Sequence, residues 1–360
     1  MDLRLSAEQE RARAAVAEAA GRLAAGGEEV DAAAGLRELA RLGALGWTTG
    51  GAADGQLLAV LACEELGRRL ARGLYVDTLA CTELLARSGD TALRGRVTAG
   101  EEPVALALPL GLRLDGAAPA PALDAGMRLR GEARFVACAP AASRLVVGAR
   151  DAAGVPVLLL VPASGAGVTH ARHDEVSRGQ LYRVAFDAAA AEDDVLLRGE
   201  AALAGLEAVR WAARLRQAAY LTGMATAALD VTMEYVRQRQ AFGRRLASFQ
   251  SLAFRISAAH TRVEAARLLT RTVACRAERE DVRLLAAEAL TVAAATATDA
   301  VAESVQMHGA HGITDAAAVQ RYYRHTSVER VRLRRPADVL DEAAALLAER
   351  GRTPVLEGAQ

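Results

Sequence analysis

Residues 237–250 read RQRQAFGRRLASFQ, and the fold turns on how this stretch is read. It sets a Phe-Gly pair between two pairs of arginines, in a chain with only 4% aromatic residues. A solvated helix face requires neither Phe nor Gly. A loop that grips an anion and then restarts a helix uses both. Arg239 is expected to end one helix, Phe242-Gly243 to turn the chain, and Ser248 to N-cap a second helix ahead of Gln250. A guanidinium beside a helix N-terminus suits a phosphate or diphosphate, because its fork donates in pairs and the free N–H groups add positive potential. A plain surface turn between two helices fits the same spacing.

On either side of this junction the pattern is helical. Upstream, Leu215, Ala218, Thr222, Ala225, Leu229, Met233 and Val236 make one stripe at steps of three and four residues. Downstream, Leu252, Ile256, Ala259, Val263, Ala266, Leu269 and Val273 repeat it. A third run, Leu284 to Val305, is so rich in Ala that it must be buried on most sides or packed closely. Long helices with such seams build bundles, and small-residue faces permit tight subunit packing. Residues 1–103 also read as helices: Ser6 caps a run from Glu8 to Leu23, Leu57 to Leu70 is another, and the Gly-rich stretch 46–55 joins them. Between Val104 and Leu197 the texture changes to short runs such as RFVACA, RLVVGA, PVLLLVP and LYRVAF, split by Gly, Pro and Asp, which predicts a small β-domain. The expected fold is α+β and mostly α: a helical domain at 1–103, a β-domain at 104–199 and a C-terminal four-helix bundle at 200–360.

At 360 residues the chain is too long for one ordinary core. A hydrophobic content of 52% argues against disorder. The formal net charge of +0 removes the field expected of a nucleic-acid or anionic-membrane binder. There is no Lys and no Asn, which suggests GC-rich bacterial coding rather than a functional arginine bias. Cys63, Cys81, Cys138 and Cys275 are scattered, so neither a disulfide framework nor a Cys-based zinc site is expected. The charged N-terminus is unlike a signal peptide, and the apolar run Val155–Ala163 falls short of the roughly 20 residues that span a bilayer. A soluble cytoplasmic protein with no membrane span is expected.

A second constellation is VQMHGAHGITD at 305–315. Two glycines three apart let backbone approach a ligand, and Gln306 offers a bidentate amide. A glycine-terminated helix explains the same residues. His308 and His311 lack an acidic or cysteine partner at ligand spacing, so no metal site is expected.

The Arg-x-x-Phe-Gly turn, the Phe-Gln seven residues on and the Gln-x-x-Gly-x-x-Gly about sixty residues later resemble the acyl-CoA dehydrogenases. ARLGALGW and CEELGRRLA are similar to that family's first helical domain, and the C-terminal resemblance continues to RYYRHT. The resemblance implies FAD-dependent oxidation of the Cα–Cβ bond of an acyl-CoA thioester, with electrons passing to an electron-transfer flavoprotein or related carrier. It also implies tetramers that share each FAD between two subunits. Arg239, Phe242, Gly243, Gln250, Gln306, Gly309 and Gly312 would then bind the ADP half of a flavin seated mainly in another subunit.

The catalytic carboxylate of the family has no counterpart. Counting nine residues on from Arg324 reaches Leu333, followed by Arg334 and Arg335, where the family has Glu-Gly-Thr. The alternative position, counted back from Phe242, is Ala213-Arg214. Neither carries a proton acceptor, so no catalytic residue is assigned. Glu329, one helical turn before Leu333, and Glu234, one turn before the Phe-Gly junction, are the candidate substitutes, and both read as solvated helix-face carboxylates displaced by about 5.4 Å. The segments expected to face the flavin ring, ALALPLGLRLDG and RFVACAP, keep Pro and Gly but lack the family's Thr and Ser. The resemblance is therefore to the base-lacking subunit of an α2β2 heterotetramer of actinobacterial steroid or acyl-chain degradation, with a homologous partner supplying the Glu. A flavin monooxygenase on the same fold and a flavin-free acyl-CoA-binding scaffold are the alternatives.

Overall fold

Ser6 Oγ accepts the Gln9 N–H at 3.2 Å while Gln9 Oε1 accepts the Ser6 N–H at 2.9 Å, a reciprocal cap that opens α1 (Ala7–Ala24). The computed structural model describes residues 4–24, 31–51, 54–71, 73–108, 114, 120–277 and 279–352. Ala52 and Ala53 of the Gly-rich stretch thus lie outside the described residues, as does most of the segment after Leu108. Four more helices complete the N-terminal part: α2 (Ala32–Arg41), α3 (Gly55–Arg68), α4 (Tyr75–Ser88) and α5 (Thr91–Thr98). Asp31 and Asp90 cap α2 and α5 by accepting the N–H of Ala34 and Leu93, each at 2.9 Å.

The strands follow. They are β1 (Val104–Ala107), β2 (Ala122–Leu123), β3 (Arg128–Ala137), β4 (Arg144–Asp151), β5 (Pro156–Pro162), β6 (Val168–Arg172), β7 (Leu181–Ala189) and β8 (Val195–Arg198). They form one sheet in the order β6-β7-β3-β2-β4-β5-β8, with β1 pairing parallel to β4. β4 and β5 are buried on both faces, which explains their continuous Val/Leu runs.

The C-terminal part holds α6 (Glu200–Gln238), a hairpin of β9 (Gln240–Ala241) and β10 (Arg244–Arg245), α7 (Gln250–Arg276), α8 (Arg283–His308), α9 (Ala318–Glu329) and α10 (Pro336–Arg352). The single stripe expected on α6 is an understatement: Ala212 through Leu229 are buried on every side. Ala, Gly and Thr fill the faces between the larger side chains, and Thr222, Thr226 and Thr232 turn their hydroxyls onto carbonyls four residues back at 2.8 Å. α7 keeps a one-sided stripe, with Ile256, Ala259, Val263, Ala266 and Val273 inside. α8 is long and apolar enough to cross a bilayer by composition, but Ala287, Leu290, Ala293, Ala297 and Ala300 pack into the same core as α6.

Two glycines set how close α3 and α6 come. A Cβ on Gly67 would lie 2.1 Å from the Tyr220 carbonyl oxygen, and one on Gly223 would lie 2.0 Å from that of Glu64. The backbones touch where side chains would normally stand. Charged groups enclose this contact. Glu64 is held by Arg267 at 2.7 Å and Arg271 at 2.8 Å, and Glu65 by Arg13 at 3.0 Å and Arg69 at 2.8 Å. Arg216, fully buried, pairs with Glu83 and is 3.3 Å from the Gln56 amide oxygen. Burial pushes the Cys63 and Cys81 thiols up to about 12, with Glu102 adding to the effect at Cys81 and Arg216 (at Cys63) and Arg144 (at Cys81) opposing it, and no disulfide joins the four cysteines.

Gly223→Ala is expected to lower stability by about 1–3 kcal/mol or more, because backbone on α3 must move to admit the methyl group. Gly95→Ala, on α5 with nothing within 4 Å of the added carbon, is expected to raise it by about 0.5–1 kcal/mol. Urea unfolding of the two variants beside the parent measures both; a neutral Gly223→Ala would refute the close crossing.

Candidate functional site

The end of α6, the hairpin and the end of α8 meet at one corner. Arg239 caps α6, and the Arg239 carbonyl accepts the Leu246 N–H at 2.9 Å, closing the hairpin. The turn residues Phe242 and Gly243 have φ of 52° and 77°, the paired left-handed conformation of a tight two-residue β-turn. Such a conformation costs a non-glycine residue about 1–2 kcal/mol, yet the residue that bears it is a Phe that is 94% exposed. Beneath the hairpin a small apolar cluster of Val236, Ile256 and Met307, with Leu246 and Leu252 against it, ties α6, α7 and α8 together. The expected N-cap is corrected here. Ser248 gives its hydroxyl to the Arg245 carbonyl at 2.7 Å, and Phe249 occupies the position before α7 with no side-chain cap. A 3-10 turn over Leu246–Ser248 shifts the start of the helix by one residue. The Phe249 ring instead supports Arg244, whose guanidinium carbon lies 3.9 Å from the ring centroid.

A cavity of about 600 Å³ opens at this corner, lined by Tyr235, Arg239, Gln306, His308, Gly309 and His311 among others. Of the seven residues singled out from sequence, Arg239, Gln306 and Gly309 thus share one wall-to-wall space. Phe242 and Gly243 form the hairpin tip, Gln250 begins α7 outside the lining, and Gly312 has a different task. A Cβ on Gly312 would meet the Val305 carbonyl oxygen at 2.5 Å, so this glycine lets the 3-10 turn Gly309–Ile313 fold back on α8. Among the described residues the Arg239 side chain makes no hydrogen bond or ion pair, and it is exposed. A larger cavity of about 680 Å³ between α1, α3, α6 and α7 is less suited to an anion, because Arg13, Arg69, Arg267 and Arg271 there are already committed to Glu64 and Glu65.

Sequence reasoning missed the aromatic floor of the smaller cavity. Tyr235 stacks on His308 with centroids 4.1 Å apart, and His311 lies 6.1 Å from the same ring. His308 Nδ1 is 2.8 Å from the Ser304 carbonyl oxygen. Burial lowers the His308 pKa, the carbonyl contact opposes that, and His311 adds to it. The i, i+4 spacing of Ser304 and His308 was the available signal for that contact.

The segments around the candidate base positions meet elsewhere, at the junction of all three parts. Leu333 lies between α9 and α10, half-buried against both main core clusters. Ala213 is buried, and neighbouring Arg214 pairs with Glu342. Glu329 is not a solvated carboxylate: it is 2% exposed, and Gln217 donates to its Oε2 at 2.9 Å and to its carbonyl at 2.8 Å. Its burial follows from α9 packing on α6. Glu234, by contrast, is exposed, with Gln238 donating to it. Arg332 reaches from the α9 end to Glu329 at 3.8 Å and to Asp77 of α4 at 3.4 Å, and Asp77 Oδ2 accepts the Leu106 N–H of β1 at 3.0 Å. In RFVACAP, Phe135 and Cys138 have φ of 59° and 48°, and β3 is irregular between Ala133 and Val136. Within ALALPLGLRLDG, residues 109–113, 115 and 116 lie outside the described residues.

Residues 200–332 match the family model of the acyl-CoA dehydrogenase C-terminal domain. Butyryl-CoA dehydrogenase from Megasphaera elsdenii superposes with a TM-score of 0.84 at 22% identity, over 97% of this chain and 100% of that one. The fold is that of the acyl-CoA dehydrogenases. The ChsE4-ChsE5 complex from Mycobacterium tuberculosis is similar too, with a TM-score of 0.83 at 21% identity over 99% of this chain and 100% of the matched chain. Among curated proteins, the caffeyl-CoA reductase-Etf complex subunit CarC of Acetobacterium woodii is 34% identical over 116 residues, 32% of this chain. That match spans 31% of the relative, about a third of its length. Within this acyl-CoA dehydrogenase fold, no carboxylate stands at Ala213 or Leu333; Glu329 is engaged by Gln217 and Arg332, and Glu342 by Arg214 and Arg334.

Because the His308 pKa is below its ordinary 6.5 in the folded state, the unfolded chain binds the proton more readily. Its contribution to stability is fully present above pH 6.5 and is lost as pH falls from there through the depressed value. His308→Gln is therefore expected to lose less stability than the parent between pH 7 and pH 5.5, an interval of about those bounds chosen to bracket histidine titration. Parallel urea titrations at both pH values test this, and identical pH slopes in the two proteins would exclude the assignment.

Proposed function

We propose that this chain is the base-lacking subunit of an FAD-dependent acyl-CoA dehydrogenase complex, completing the cofactor site of a homologous subunit that carries the catalytic Glu. The observation that carries this reading is an asymmetry. At the hairpin, the Arg239 guanidinium, which has no partner among the described residues, and Gln306 line one cavity, donor groups that suit a diphosphate. At the interdomain junction, the positions for a proton acceptor hold Leu333 and Ala213, and the nearby charges are consumed by one another.

The residues at the corner fit the ADP half of FAD. Arg239 and Gln306 would hold the diphosphate and its neighbouring groups, Gly309 would admit close backbone approach, and Phe242, Gly243 and Gln250 would shape the rim, with Gly312 holding the loop in position. Bound FAD supplies the hydride acceptor for α,β-dehydrogenation of an acyl-CoA. The α-proton acceptor then has to come from the partner, since neither Leu nor Ala exchanges a proton. Electrons would leave through an electron-transfer flavoprotein or a related carrier. The names of two relatives, a ChsE4-ChsE5 complex and an Etf-complex subunit, support an assembly of unlike chains for this one. A flavin monooxygenase needs a ring-facing pocket in the chain itself, and the charges at the junction speak against one.

Arg239→Ala is expected to weaken FAD retention by the assembled complex by about 10–100-fold, since charge-assisted hydrogen bonds contribute roughly 1.5–3 kcal/mol each. Thermal stability should stay unchanged, because Arg239 holds nothing else. The measurement is flavin absorbance per complex after dialysis, with the chain co-purified with a partner bearing the Glu. Full flavin occupancy in Arg239→Ala would leave the corner as a surface turn.

A further inference from the structure

We infer that the Asp77–Arg332–Glu329 ion-pair cluster closes the interdomain junction of this chain, so that no neutral planar ring, flavin included, is seated there. The inference rests on the cofactor-sharing reading above and deepens it: the chain contributes to a shared site and holds no site of its own.

Each part of the molecule gives one member or anchor. Asp77 comes from α4, the Leu106 N–H that fixes it comes from β1, and Arg332, Glu329 and Gln217 come from the C-terminal helices. The side chains of Asp77, Glu329 and Arg332 are 6%, 2% and 16% exposed, so the charges are largely removed from water. Cys138, at the end of the RFVACAP segment, lies close enough to Arg332 to bear on its charge, and its own N–H is spent on the Gln180 carbonyl at 2.8 Å. Asp77, Arg332, Glu329 and the Cys138 N–H thus each have a partner at the junction.

A neutral ring entering this space must either displace Arg332 or separate it from a carboxylate. Either event leaves a buried charge unpaired, and a ring that carries no charge cannot replace the partner. The cluster is thus selective by electrostatics and not only by volume. The hairpin corner has the opposite character, with an exposed cation that has no partner among the described residues.

Two measurements on the full chain test this. In the first, Arg332→Met leaves Asp77 and Glu329 buried without their cation, whereas Asp77→Asn/Glu329→Gln/Arg332→Met removes all three charges at similar volume. The single variant is expected to melt roughly 5–10 °C below the triple variant. A single variant as stable as the triple, or more so, would mean the charges are not a closed cluster. In the second, lumiflavin, which has the ring and no ADP half, is titrated by fluorescence. The wild-type chain is expected to give no saturable quenching. Saturable quenching that Cys138→Trp abolishes would reveal an open ring seat and overturn the inference. Neither readout involves Arg239, so an Arg239→Ala complex that retains its flavin would undo the sharing reading while leaving the melting order intact.

Discussion

Everything else in the molecule hangs on the place where α3 and α6 touch backbone to backbone. Gly67 faces Tyr220 and Gly223 faces Glu64, with no room for a methyl group on either side. That approach pulls α6 into the centre, where α3, α4, α7, α8 and α9 all pack on it. A helix surrounded on all sides cannot be amphipathic in the ordinary sense, and its faces are graded by size instead of polarity. The charged residues that do enter the core, Arg216 and Glu64 among them, are paired wherever they are buried.

The all-arginine composition acquires a structural meaning in this setting. A guanidinium donates in several directions at once, so Arg267 binds Glu64, Glu264 and the Thr226 hydroxyl together. Such multiple engagement ties α3, α6 and α7 at one point. Among the described residues, Arg237, Arg239 and Arg245 of the hairpin stretch have no side-chain partner, and of these Arg239 lines the corner cavity.

The hairpin corner was legible because its residues are close in sequence and chemically uncommon. Phe-Gly between arginines announces a turn, and Gln306 with two glycines announces a helix end with an exposed amide. The strand region was legible because Val and Leu runs broken by Gly and Pro have few other readings. The junction cluster was not. Asp77 and Arg332 are 255 residues apart, and nothing in either neighbourhood marks them as partners. Glu329 looked solvated because its own helix is polar, with Arg321, Arg324 and Arg330 nearby; its burial is decided by α6, not by α9. Ser248 looked like a cap because Ser usually is one before a helix, but an intervening 3-10 turn gave its hydroxyl another acceptor. Leu333 and Ala213 were read from counting alone, and both lie in apolar surroundings.

The length of α6 has a mechanical consequence. From the fulcrum at Gly223 to Arg239 is sixteen residues by their numbers, about 24 Å of rigid arm at 1.5 Å per residue. A tilt of about 5° at that fulcrum swings the guanidinium by roughly 2 Å, enough to break a hydrogen bond of ordinary length. A methyl-sized wedge between α3 and α6 would thus be felt as lost grip at the far tip of the lever, with every residue at that tip unchanged.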